Sequence, residues 1–578
     1  MANYIDYEYL GTKAAPTGIR VWEQNYETNK IEEVDYPLED YLYFYIDAID
    51  ETKAESDLTS QRGTKVQKVV ADDFKSLKDG SAAKYYQGMN LNTYESDIGP
   101  IQKCMLDNYG RDNQKAPVWN IGLYDIEVDV LTEESFMDMR DNTEREINAV
   151  SVWYSKPNKY YNFTVVPPML RSVWNYEVVE ERGNFTIIYF DNEADMLDAF
   201  FDMNKHYETM ALGAWNGDFF DTGYIFNRCK KIWNEKTAAA KMGRFPKVRK
   251  NKIEMNGKEE ILIRPIGLVW YDCLEAYKKN GPELESFALQ AVAEEEGLGS
   301  KVDFEGNFET LYHGTRKDRD RFRELTSEKQ MRKLIKKSEA LGKMITEELE
   351  LYEWAKEHVD TGGLIEAEIE TRIQMQITEK LEELMDSEDL QEELGSDGLI
   401  DFERYVLYRK FLDTYRLFLD YSNQDSQLLY DLEMKIDKFK TLMMLAQYNV
   451  SYFQDVFATL KQVEQGITNF AHLNNKKVVM DREYDKTKQP YNQHIDPELL
   501  RIRMDNDYKI LPDDSKKVKL MKQLTSQPKI PGAHVLLPAI GLVSFDEAVT
   551  PKMAREFKTL KSELQEIEKQ LAQFEEED

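Results

Sequence analysis

The run Tyr124-Asp125-Ile126-Glu127-Val128 sets two carboxylates two residues apart inside a β-type stretch, residues 118–130. Successive side chains of a strand alternate faces, so Asp125 and Glu127 point one way and Ile126 and Val128 the other, into a core. Two acids side by side repel each other unless a cation lies between them. A hard divalent ion such as Mg²⁺ prefers oxygen ligands of this kind. A strand bearing such a pair is a common first half of a two-metal phosphodiester-cleaving site. The same D-x-E arises by chance on edge strands with two solvated acids, so the pair needs further residues to mean anything.

Two other segments supply them. Residues 211–228, ALGAWNGDFFDTGYIFNR, begin apolar, turn at Trp215-Asn216-Gly217, and pass through Phe219-Phe220-Asp221 into an amphipathic helix starting near Thr222. Asp221 falls near that helix start, where free N–H groups and the dipole favour an acid; its plainer reading is an N-cap. The third segment is Tyr421-Ser422-Asn423-Gln424-Asp425. Leu428, Leu429, Leu432, Ile436 and Phe439 recur after it at helical spacing. Tyr421 and Asp425 then share one helix face, as a surface pair on a core helix would too.

The ordered set D-x-E, N-x-x-x-F-D and Y-x-x-x-D resembles the DEDDy exonuclease motifs of family B DNA polymerases, in particular those of T-even-type tailed phages. Asp125 and Glu127, then Asn216, Phe220 and Asp221, then Tyr421 and Asp425 match it. The resemblance extends to residues 88–110, to IGLVWYDCLEAYKKN (266–280) and to PGAHVLLPAIGLVSFD (531–546), which is similar to the approach to palm motif A. It implies a mixed α/β fold: a ribonuclease H-like 3′-5′ exonuclease domain with an N-terminal α+β domain. It also implies two Mg²⁺ or Mn²⁺ ions, with Asp125, Glu127, Asp221 and Asp425 as ligands. Tyr421 would orient the water and the scissile phosphate, and Asn216 and Phe220 would position the terminal nucleotide. The implied partner is DNA, as a single-stranded 3′ end and as primer-template.

Composition sets the class within which this must work. A chain of 578 residues exceeds one core, so two to four domains are expected. There is no run of eighteen apolar residues, which excludes a transmembrane helix and a membrane partner. The N-terminus lacks the basic and apolar regions of a signal peptide. Cys104, Cys229 and Cys273 are odd in number and form no C-x-x-C, so neither disulfides nor a zinc site is expected. Carboxylates must carry any metal chemistry. A cytoplasmic protein, in an infected host cell if the phage resemblance holds, fits these features.

The net charge of −32 opposes nucleic-acid binding only if charge is spread evenly. Residues 228–252 hold ten Lys/Arg and one acid, a basic loop that would flank a phosphate channel. Residues 346–398 carry eighteen acids against three bases.

The elements that must position the acids divide the chain as follows. Residues 1–110 mix aromatic-rich strands with a helix near 71–78. Residues 111–437 form the exonuclease domain, with turns at Lys156-Pro157-Asn158 and Arg182-Gly183-Asn184, a strand at 184–190 and a helix at 193–207. Inside it, residues 316–401 are charged and helical by pattern, an insertion of solvent-exposed hairpins or a partner surface that the family resemblance does not cover. The resemblance implies that residues 438–485 return to the N-terminal domain and that 486–549 begin a palm. Asp546 stands where a palm metal ligand would be. After it the resemblance stops: neither a K-x-x-x-N-S-x-Y-G nor a D-T-D motif occurs. In residues 550–578, Met553, Phe557, Leu560, Leu564, Ile567, Leu571 and Phe574 make an a/d stripe on a C-terminal helix. The expectation is one part of a split polymerase, partnered by a second polypeptide with the rest of the palm, the fingers and the thumb, and by a sliding clamp. The alternatives are a non-catalytic binding and assembly subunit, against which four metal-spaced acids argue, and a stand-alone nuclease, against which the palm-like segment and the stripe argue.

Overall fold

The computed structural model describes residues 2–478 apart from 26, 111–118, 130–142, 256–257, 280, 299–307, 327–330 and 362–365. The chain divides into two compact units, Met1–Met480 and Asp481–Asp578, and the described residues lie in the first. The palm-like segment with Asp546, and the heptad stripe, fall outside the described residues, as do the ends of the 118–130 stretch.

Near the N-terminus, β1 (Ala2–Gly11), β2 (Pro16–Asn25) and β3 (Ile31–Pro37) form an antiparallel meander. β4 (Tyr43–Asp47), β5 (Thr59–Ser60), β6 (Val66–Val70) and β7 (Thr93–Tyr94) follow, with β4 between β6 and β7. The helix α1 (Phe74–Lys78) starts at a capping box of Asp73 and Ser76. In α2 (Pro100–Tyr109) the proline sits in the first turn, where its missing N–H costs no hydrogen bond.

A seven-stranded mixed sheet is the frame of the next part. Its strands are β8 (Ile121–Val128), β9 (Ile147–Tyr154), β10 (Lys159–Val165), β11 (Val179–Arg182), β12 (Phe185–Phe190), β13 (Ala211–Ala214) and, after the antiparallel hairpin β14 (Val248–Met255)–β15 (Lys258–Pro265), β16 (Val269–Asp272). The order is β11-β12-β10-β9-β8-β13-β16, with β9 antiparallel to both neighbours and β8, β13 and β16 parallel. On one face α3 (Glu193–His206), α4 (Asp221–Ile232) and α5 (Glu235–Met242) bury Phe200, Tyr224, Cys229 and Ala239 against Tyr124, Ile126, Val150 and Phe163. The opposite face is covered by helices from much later in the chain. This is the ribonuclease H-like α/β arrangement, with the antiparallel β9 next to β8.

The charged stretch 316–401 departs from the expectation of exposed hairpins. α6 (Met331–Glu348) and α7 (Glu366–Met385) lay apolar stripes on α8 (Glu388–Ile436), a 49-residue helix kinked at Gly395. Ile335, Ile345, Ile373, Ile377 and Leu381 share one core with Phe402, Tyr405, Phe411 and Phe418, and with Phe185 and Ile187 of the sheet. The pattern read as polar because each helix buries only a narrow stripe. α8 also runs without a break across Asp401, so the insertion and the third motif ride on one helix. A Cβ on Gly342 would overlap the Tyr405 ring, which is buried. Gly342→Ala should therefore cost about 1–3 kcal/mol by overpacking, read as a lowered midpoint in thermal denaturation; an exposed hairpin would instead gain helix propensity.

After α8, α9 (Lys438–Asn449), α10 (Thr459–Leu473) and β17 (Lys476–Lys477) pack back on the N-terminal strands. Tyr4 donates its hydroxyl to the Ala446 and Ser451 carbonyls (2.9 and 2.8 Å). Val450 lies in the core of Tyr7, Val21 and Met105, and β17 pairs parallel with β5.

Candidate active site

β8 lies between β9 and β13 inside the sheet, and its odd-numbered side chains face α8. Asp125 lies opposite Ser151 and Glu127 opposite Ala149 in β9. Asp125 is half-buried and Glu127 buried, while Ile126 turns into the core on the far face. α8 is set across this face by polar groups embedded in apolar strands. Ser151 Oγ donates to the Ser422 carbonyl (2.8 Å). Asn162 Nδ2 donates to Asn423 Oδ1 (2.7 Å) and to Ser422 Oγ (3.2 Å). Leu428, Leu429 and Leu432 anchor the next turns beside Leu123.

So held, α8 delivers Asp425 to the strand pair. One carboxylate oxygen from each of Asp125, Glu127 and Asp425 lies within 4.8 Å of the others. Tyr421, one turn earlier on the same helix, is half-buried against the neighbouring core. Asp431, the next aspartate along α8, is not in this group. Three carboxylates converging with little water access repel one another, and the donor set is all oxygen and anionic. It fits a hard divalent cation and not a soft one.

Asp221 is near this group but is not part of it. Asn216 takes a left-handed conformation (φ 64°), which asparagine tolerates. Its carbonyl accepts the Phe219 and Phe220 N–H groups (both 3.1 Å). Phe220 occupies the N-cap and Asp221 the first helical position, so Asp221 is not the cap that its simplest reading suggested. Thr222 Oγ1 meets the Tyr124 hydroxyl at 3.2 Å, tying α4 to β8. Burial pushes the Asp221 carboxyl up to about 7; its own N–H opposes this, the charge of Asp272 adds to it, and the Ile126 N–H opposes it again. That N–H lies between Asp125 and Glu127 in the strand, which places the Asp221 carboxyl alongside β8 at the level of the acid pair.

Asp272, Asp218 and Arg264 carry no signal in the motif pattern. Asp272 caps the helix Cys273–Lys278 and accepts the Asp218 N–H (3.1 Å). Arg264 of β15 pairs with Asp218 at 2.5 Å, both nearly buried. The Asp272 carboxyl is also held at about 7, by burial first and then by the charge of Asp218. Ser151 and Asn162, which hold α8, stand out instead as polar residues inside apolar runs.

A pH dependence follows from the two raised carboxyls. Between their ordinary range near 4 and about 7, native Asp221 and Asp272 hold protons that the unfolded chain has released. Their contribution to stability is full at low pH and is lost as pH rises through 7. Glu433, also raised to about 7 by burial, has the same sign. In EDTA the melting midpoint should be lower at pH 8 than at pH 6, and Asp221→Asn should make that fall shallower in a two-pH melting series.

Residues 79–292 match the family described as DNA polymerase family B, exonuclease domain. That match covers little more than a third of the chain. The DNA-directed DNA polymerase of Enterobacteria phage T4 is 31% identical over 207 residues, 32% of this chain and 22% of that protein. That of Escherichia phage RB69 is 29% identical over 220 residues, 35% of this chain and 23% of its own length. The chain thus spans about a quarter of the length of these relatives or less. The family match over residues 79–292 includes Asp125, Glu127, Asn216, Phe220 and Asp221 and ends before the charged insertion. Tyr421 and Asp425 lie beyond it, and it is the packing of α8 that brings Asp425 to the other acids.

The basic stretch 228–252 proves not to be a loop. It spans the end of α4, α5 and much of β14, and most of its cations are engaged. Arg228 pairs with Glu193 in the interior. Arg244 donates to the Gly267 and Thr209 carbonyls. Arg249 pairs with Asp6 and Glu8 (2.9 and 3.1 Å), and Lys250 with Glu235. The stretch mainly neutralises acids of its own fold.

Proposed function

We propose that the chain hydrolyses 3′-terminal nucleotides from DNA, as the proofreading part of a phage replicative polymerase. The observation that carries this reading is the meeting of Asp425 with Asp125 and Glu127 in a domain whose family is the polymerase exonuclease. Asp125, Glu127 and Asp425 would hold one divalent ion, and Asp125 with Asp221 a second, Mg²⁺ or Mn²⁺. Such ions supply a hydroxide near neutral pH and stabilise the leaving 3′ oxygen. Tyr421 donates its hydroxyl to orient the attacking water and the scissile phosphate. Asn216 and Phe220, at the turn before Asp221, position the terminal nucleotide, the phenyl ring offering a face on which a base can stack.

In the same reading the protein works in the cytoplasm of an infected cell. Among the described residues no helix is long and apolar enough to cross a membrane. Primer extension belongs to a complex in which a second polypeptide brings the remaining palm, fingers and thumb, with Asp546 as one palm ligand and a sliding clamp as a further partner.

The test is digestion of a 3′-labelled single-stranded DNA by the purified chain. Mg²⁺-dependent release of mononucleotides from the 3′ end, abolished by EDTA, is the expected result. Folded protein that leaves the DNA intact in Mg²⁺ and in Mn²⁺ would replace this reading with that of an assembly and binding subunit. Primer extension on adding the palm-bearing polypeptide tests the second part.

A further inference from the structure

α7, in the charged insertion, meets α8 through a buried polar ladder. Thr371 Oγ1 donates to Asp420 Oδ2, and Thr378 Oγ1 to Asp413 Oδ2 (both 2.5 Å). The two threonines are seven residues apart and so are the two aspartates, one antiparallel register repeated over two turns. All four are nearly inaccessible, at 1%, 4%, 4% and 2% exposure for Thr371, Thr378, Asp420 and Asp413. Arg182, at the end of β11, closes the upper rung: Nε and Nη2 donate to the two Asp420 oxygens (2.9 Å each), and Nη2 also to the Ala367 carbonyl (3.1 Å) and to Thr371.

Apolar residues in such a seam would stabilise it at least as well. What a buried polar rung adds is register, because any slip or rotation strands a carboxylate without its donors. The upper rung is also next to the chemistry. Asp420 directly precedes Tyr421, and at ~100° per residue it points about 140° away from Asp425 around the helix. α8 is therefore gripped on one side by Ser151 and Asn162 of the sheet, and on another by Arg182 and Thr371.

We infer that Arg182, Thr371 and Asp420 are positioning residues: through them the insertion fixes the rotation of α8 and with it the approach of Asp425 to Asp125 and Glu127. This rests on the exonuclease reading of the acid cluster and assigns the insertion a part in the same site. Outer groups that orient metal-binding side chains commonly affect metal affinity by one to two orders of magnitude.

The test uses the full chain and Mn²⁺ binding followed by the electron paramagnetic resonance signal of the free ion, beside 3′ cleavage. Thr371→Val keeps shape and removes the hydroxyl; it should weaken Mn²⁺ binding roughly tenfold and lower kcat with KM for the DNA end unchanged. Thr371→Ser should restore both. Thr378→Val makes the same change one rung away; it should lower the melting midpoint similarly while Mn²⁺ affinity stays at the wild-type value. If Thr371→Val does not fold, Asp420→Asn serves in its place and should show the same loss of affinity. Wild-type affinity in the Thr371 or Asp420 variant, or an equal loss in Thr378→Val, overturns the inference and leaves the ladder as packing only. A wild-type chain that binds Mn²⁺ without cleaving DNA defeats the exonuclease reading alone, and one that binds no Mn²⁺ defeats both.

Discussion

The Asp125→Ala/Glu127→Ala double variant should lose 3′ cleavage by about a thousandfold or more and keep its fold. The size of the loss follows from what bound ions contribute to phosphodiester hydrolysis, several kcal/mol of charge stabilisation in the transition state, at about 1.4 kcal/mol per factor of ten in rate. Survival of the fold follows from the geometry. Asp125 and Glu127 lie with Asp425 in a group of like charges, so their removal relieves repulsion. Circular dichroism and a metal-free melting midpoint at or above the wild-type value should accompany the loss. The wild-type chain should gain stability on adding Mg²⁺, since an ion that binds only the folded state stabilises it by mass action, and the double variant should gain far less. A variant that cleaves at the wild-type rate would remove these residues from the site.

Arg228→Leu should destabilise the fold by about 3–5 kcal/mol, the cost of leaving one member of a buried ion pair alone. Arg228 Nε donates to Glu193 Oε1 (2.8 Å), and that same oxygen accepts the Ile147 N–H (2.8 Å) at the start of β9. The Arg228 Nη1 group caps the carbonyls of Thr143 and Glu144 (3.1 Å each). One side chain therefore ties α4, α3 and the strand beside β8. An arginine that contacted phosphate would behave otherwise: its loss would leave stability within about 0.5 kcal/mol and lower the salt dependence of DNA binding. Urea denaturation and a salt titration of DNA binding on the same variant separate the two. A stable Arg228→Leu protein with weakened, less salt-dependent binding would return this residue to the DNA surface.

Much of the site's chemistry was legible along the chain, because it depends on residue type and local period. Alternation in the strand puts Asp125 and Glu127 on one face, the Asn216-Gly217 turn demands a left-handed residue, and a four-residue step aligns Tyr421 with Asp425. The burial of individual charges was not legible. Arg228, Arg244 and Arg249 looked like a cationic surface because a run of bases says nothing about acids far away in sequence; Asp6 and Glu8 meet Arg249 across most of the N-terminal half of the chain. The insertion was misread for a related reason. Its exposed faces are charged enough to hide the narrow stripe of Ile373, Ile377 and Leu381 that packs on α8.

By itself, then, the sequence determined which acids exist, in what order, and on what kind of element each stands. The tertiary structure decided that Asp425 joins Asp125 and Glu127 while Asp221 meets the Ile126 N–H between them. It also decided that Ser151, Asn162 and Arg182 hold the helix that carries Asp425. The physical reason is range. Strand alternation and helical period are set by neighbours a few residues apart, whereas the distance between carboxylates on separate elements is set by how side chains from remote segments fill one core.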